Sequence, residues 1–78
     1  MARVVELKSG ELPPPRERHA MVIASAQRSA EPDFLDQSRS RIFFTSDRAR
    51  DIAIVIGRAK AWAEARLITS VYVRREGR

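Results

Sequence analysis

Residues 46–67, SDRARDIAIVIGRAKAWAEARL, decide the fold. The apolar run Ile52 to Ile56 is rich in β-branched side chains and, taken alone, suits a strand. Its surroundings argue for a helix. At about 100° per residue, Ala49, Ile52, Val55, Ile56, Ala59, Trp62, Ala63 and Leu67 share one broad stripe. The alanine-rich continuation sustains this period and predicts an amphipathic helix of about five or six turns. Ser46 or Asp47 is the expected N-cap, and Asp47 and Asp51 stand near the positive end of the helix dipole.

Strand patterns flank this helix. Upstream, Arg41 to Thr45 (RIFFT) sets Ile42 and Phe44 against Phe43, and downstream Thr69 to Arg75 (TSVYVRR) alternates Val71 and Val73 with Tyr72 and Arg74. Further back, His19 to Gln27 (HAMVIASAQ) alternates Met21 and Ile23 with Ala20, Val22 and Ala24, so both faces are apolar or small. Arg3 to Lys8 (RVVELK) puts Val5 and Leu7 on one face and Val4, Glu6 and Lys8 on the other. Between these two, Gly10 permits a turn, and Pro13, Pro14 and Pro15 stiffen the connection because they cannot donate ladder hydrogen bonds. Residues 28–40 read as a loop or a single helical turn started at Pro32, with Phe34 and Leu35 able to pin it to the core.

The expectation is a single α+β domain over residues 1–78: a small antiparallel sheet of three to four strands packed on one long amphipathic helix, in the order β-β-β-α-β. Val5, Leu7, Ile42, Phe44, Val71 and Val73 are expected to face the helix. The other side of the sheet is left to solvent or a partner.

Composition narrows the function. The 78 residues contain no cysteine, which removes disulfides, thiolate metal sites and cysteine nucleophiles together. The longest apolar runs fall far short of the roughly 20 residues that span a bilayer, and the first ten residues carry no secretory pattern; a cytoplasmic protein with no membrane partner is expected. The formal charge of +5 is uneven. Residues 48–78 hold eight cations against three acids and so carry the whole excess, a sign that attracts polyanions. Thirteen of the fifteen cations are arginine, the better fork for phosphate or carboxylate, although a GC-rich coding sequence gives the same bias.

No catalytic constellation stands out. His19 is the only histidine and has no evident partner, and general acid–base or nucleophilic work needs converging groups. The expectation is a non-catalytic protein without cofactor or metal. Two surfaces are candidates for binding. On the outer face of the helix, Ile54, Gly57, Ala61 and Ala65 fall at roughly 200°, 140°, 180° and 220° from Ile52, opposite the core stripe. Arg50 heads this seam of small residues and Arg58 edges it, a surface for a larger protein or nucleoprotein partner or for a second copy of the chain. Gly57 is its telling member, since glycine inside a helix costs roughly 1 kcal/mol against alanine. The second surface is the open sheet face, where Arg41, Phe43, Tyr72 and Arg74, extended by Arg75, would form a stacking and phosphate-binding platform for nucleic acid.

The strand–helix–strand end over residues 41–75, RIFFTSDRARDIAIVIGRAKAWAEARLITSVYVRR, preceded by two short strands, resembles several small anti-CRISPR proteins. These are phage- or mobile-element-encoded inhibitors of bacterial immune complexes. The likeness is one of size, architecture and lack of catalytic groups, with no shared motif, and it transfers no residue. It implies docking onto a Cas protein or a crRNA-guided complex, type I above all, so that target DNA is kept from binding. Many members are acidic, whereas this chain is basic.

Overall fold

The computed structural model describes residues 2–14, 16–26 and 40–76, and the sequence-based readings of residues 28–39 lie outside them. Among the described residues four strands, β1 (Arg3–Leu7), β2 (His19–Ser25), β3 (Ser40–Thr45) and β4 (Ser70–Glu76), form one sheet with a single helix, α1 (Ala49–Ala65). The fold is α+β. The sheet order is β1-β4-β2-β3, and every neighbouring pair is parallel.

Parallel pairing corrects the expected antiparallel sheet, and the reason lies in the connections. Antiparallel neighbours are joined by tight hairpins, whereas parallel neighbours need crossovers. Gly10 does turn the chain, at φ 82°, but Pro13 and Pro14, which cannot donate ladder hydrogen bonds, disfavour a strand that folds straight back. The segment 8–18 therefore carries the chain from β1 across β4 to β2. The helix carries it from β3 across β2 to β4. These crossovers run in opposite directions and lie on opposite faces, as a uniform crossover hand requires. Segment 8–18 lays Glu17 on Ser70 and Tyr72 of one face, while α1 packs on the other.

Register assigns each side chain to a face. One row runs Glu6, Val73, Val22, Phe43 and the next runs Leu7, Arg74, Ile23, Phe44. The helix side therefore carries Ala20, Val22, Phe43, Val71 and Val73, packed with Ala59, Ala63, Val55, Ile56 and Trp62. Val5, Leu7, Ile42 and Phe44 fall on the far side instead, with Met21 and Tyr72; this overturns their expected place against the helix. Met21 and Tyr72 are buried there and the other four are half-buried, so the far face is apolar and partly sheltered by the chain itself. Among the described residues Val22, Val71 and Val73 are the largest apolar side chains fully buried, and Ala20, Ala59 and Ala63 at the contact let helix and sheet approach closely.

The helix is shorter than its stripe suggested. Its N-cap is Arg48, with no side-chain cap, not Ser46 or Asp47. Ser46 instead accepts from the Arg48 amide and donates to Asp51 in the first turn, at 2.5 Å. At the other end the Ile68 amide bonds the Ala63 carbonyl and the Leu67 amide bonds Glu64, the two closures of a Schellman motif. That motif puts its C′ residue in the left-handed region. Here the residue is Leu67, at φ 59° and 88% exposed, so it leaves the core stripe altogether. Ala49, at the first turn, is exposed as well.

Candidate functional site

The outer face of the helix is open. Arg50, Ile54, Gly57, Arg58, Ala61 and Ala65 are all exposed, Ile54 to 51%. A Cβ built on Gly57 meets nothing within 4 Å. The expected seam thus stands where the helical phase puts it, and nothing among the described residues packs onto it.

The sheet platform is split. Phe43 and Arg41 project to the helix side, Tyr72 and Arg74 to the far side, because a parallel register sets Phe43 level with Val22 and Ile42 level with Met21 and Tyr72. Tyr72 is buried and donates to Glu17 at 2.5 Å. Arg74 donates to the Glu11 carbonyl at 2.8 Å and pairs with Glu76. Both therefore tie segment 8–18 and the strand end in place and do not offer themselves to a ligand. Arg75 shares the helix side with Val73 and bonds Glu6 at 2.7 Å, with both side chains more than half exposed, a pairing of small energetic weight.

In place of that platform, the helix side assembles another. The Arg41 guanidinium lies over the Phe43 ring, its Cζ 4.7 Å from the ring centroid. Phe43 meets Trp62 edge to face, with centroids 6.2 Å apart and planes at 72°. Arg66 lies over Trp62, again at 4.7 Å. Cation, ring, ring and cation thus form a continuous relay along the flank between α1 and the edge strand β3. Arg58, one turn before Trp62, extends the same side of the helix. Arg41 and Arg66 are exposed, and Phe43 and Trp62 are half-buried. Arg18 joins this end of the molecule by donating to the Arg66 carbonyl at the helix C-terminus, where positive charge complements the dipole. Sequence reasoning took Trp62 for core only and passed over Arg66. The signal was the i, i+4 step from Trp62 to Arg66 beside the i, i+2 step from Arg41 to Phe43, readable once Phe43 is set on the helix side.

A polar cluster occupies the far side where the strands begin. Glu17 accepts from Tyr72 and, at 3.1 Å, from Ser70. His19, expected to lack a partner, holds the Glu17 carbonyl through Nδ1 at 2.8 Å and meets Tyr72 edge-on at 5.7 Å. The Tyr72 hydrogen bond holds the Glu17 carboxyl below its ordinary range, aided by Ser70 and by the charges of His19 and Arg3, against a smaller opposing effect of burial. The same bond, with burial, pushes the Tyr72 hydroxyl up. Chemically this cluster is a clasp: its acceptors and donors satisfy one another.

No described helix is long and apolar enough to cross a membrane. Comparison with protein families, curated proteins and solved structures gives no match to this chain.

Proposed function

We propose that this is a non-catalytic binding protein that docks onto a larger protein or nucleoprotein complex with the helix-bearing side of its sheet. The carrying observation is an unbalanced charge pattern. Among the described residues the ion pairs are Arg74–Glu76 and Arg75–Glu6, both at the end of β4. The exposed arginines of the helix side, Arg41, Arg50, Arg58 and Arg66, have no carboxylate in that set. Two acids of the helix are engaged elsewhere: Asp51 by Ser46 and Glu64 by the Ala2 amide at 3.0 Å. Guanidinium forks without a paired carboxylate among the described residues suit a partner that brings its own anions. Ile54 on the helix and Leu67 just past its end, both well exposed, add apolar anchors.

The sharpest form of this reading is inhibition of a crRNA-guided complex by blocking its target DNA, the role that the architectural resemblance implies. Pull-down against a purified type I surveillance complex, paired with a target-binding assay, tests it. Expected are association in the micromolar range or tighter and loss of target DNA binding; neither effect at that concentration overturns the proposal.

A further inference from the structure

We infer that the flank formed by Arg41, Phe43, Trp62 and Arg66 binds single-stranded nucleic acid. This rests on the reading of the helix side as a docking face for an anionic partner, and it names the component that this flank takes. The first argument is chemical. Carboxylates on an acidic protein would use the edges of the guanidinium groups and have no use for the rings. Here the guanidinium groups of Arg41 and Arg66 each lie on an aromatic ring, which fixes their planes, leaves N–H edges for bidentate contact to phosphate, and presents a flat cation on which a base can stack. A guanidinium carries five N–H donors, and Arg66 gives one of them to the Trp62 carbonyl, at 3.3 Å.

The second argument is exposure. Phe43 and Trp62 are half-buried at a sheet edge, not sealed in the core, so ring surface stays within reach of a splayed base. Bases in a duplex are stacked on one another and cannot use it; those of a single strand can, with little preference for sequence. The third is field. Arg18 and Arg58 flank the relay at its end and along its side, so a phosphate backbone tracking past the rings meets positive charge throughout.

The experiment uses a site-specific reporter, since Trp62 is the only tryptophan in the chain. The full chain is titrated with single-stranded DNA and RNA oligonucleotides of one mixed sequence, with the corresponding duplex and with polyglutamate. Anisotropy of labelled probe and Trp62 emission are read together. Expected is saturable binding of the single strands with Trp62 quenching, the tighter of DNA and RNA naming the natural source, and weaker binding of duplex and polyglutamate without quenching. About two to three phosphate contacts imply a loss of roughly tenfold in affinity between about 50 and 200 mM salt. Arg41→Gln with Arg66→Gln, both exposed and so harmless to the core, is expected to weaken binding about tenfold or more. Lys8→Gln with Arg16→Gln removes the same charge from the crossover loop and is expected to change affinity by less than about threefold. Equal losses in the two double variants, binding without quenching of Trp62, preference for duplex, or no binding at about 50 mM salt each overturn the inference. If the surveillance complex is still captured after nuclease treatment while oligonucleotides fail, this inference falls and the docking proposal stands.

Discussion

Phe43 and Tyr72 stand on opposite faces of one sheet: Phe43 is level with Val22 and Val73 against the helix, Tyr72 with Met21 beneath the crossover loop. The two aromatics therefore do different work. Phe43 joins the cationic flank, and Tyr72 clasps segment 8–18 to the strands through Glu17.

That clasp sets a pH window. The Glu17 carboxyl is held below its ordinary value of 4.5, so its contribution to stability is complete above 4.5 and fades as pH falls through the folded value. Tyr72 is raised above 10.0, so its contribution is complete below 10.0 and fades as pH rises through the folded value. Tyr72→Phe, which keeps the ring and deletes the donor, is expected to lower the urea midpoint most between those limits. Denaturation of both proteins across pH would show the gap closing at each extreme; a gap independent of pH refutes the clasp.

Leu67 offers a second test. A leucine at φ 59° costs about 1 kcal/mol or more relative to a residue at ease in the left-handed region. Because its side chain is almost fully exposed, Leu67→Gly loses little burial and relieves the strain. The variant is expected to be stabilised by about 1 kcal/mol in equilibrium unfolding. If Leu67 also anchors the partner, the same variant binds less tightly, which would explain a strained leucine in a place suited to glycine.

Gly57 separates folding from docking in the same manner. With open space around its Cα, Gly57→Ala is expected to stabilise the chain by roughly 1 kcal/mol. Gly57→Leu is expected to fold normally and yet lose capture of the partner complex, because the added side chain fills the seam. A Gly57→Leu protein that is captured undiminished places the partner elsewhere. Sedimentation of the wild type settles the homodimer reading of the seam, which requires a dimer that Gly57→Leu converts to monomer.

The helix–sheet contact has little spare room. Ala63, fully buried between α1 and the sheet, is expected to tolerate enlargement poorly: Ala63→Leu should cost about 1–3 kcal/mol by overpacking. Val73→Ala, at the centre of the same contact, should cost about 2 kcal/mol or more from the cavity it leaves. Thermal unfolding of the two variants checks both values.

The helix and its outer seam were legible because helical phase is local: once Ile52 is buried, the direction of Ile54, Gly57 and Ala61 follows. Strand polarity was not local. It depends on where residues 8–18 and the helix deliver the chain, several strands away from where each began. One sign did lie in β2, whose apolar residues on both faces suit a central parallel strand better than the margin of a one-sided sheet. The sheet face of Phe43 depended on a single step of register, which no alternation within RIFFT can fix. With that step unknown, Phe43 was matched to Tyr72 when its companion is Trp62.

The position of Ser70–Glu76 also bears on biosynthesis. This final strand is wedged between β1 and β2, which have no ladder to each other without it. A nascent chain can wind its helix and pair β2 with β3 early, but β1 cannot join the layer until the ribosome has extruded residue 76. Joining of β1 consequently waits for β4, and loss of that strand would leave β2 paired with β3 alone and β1 without a neighbour.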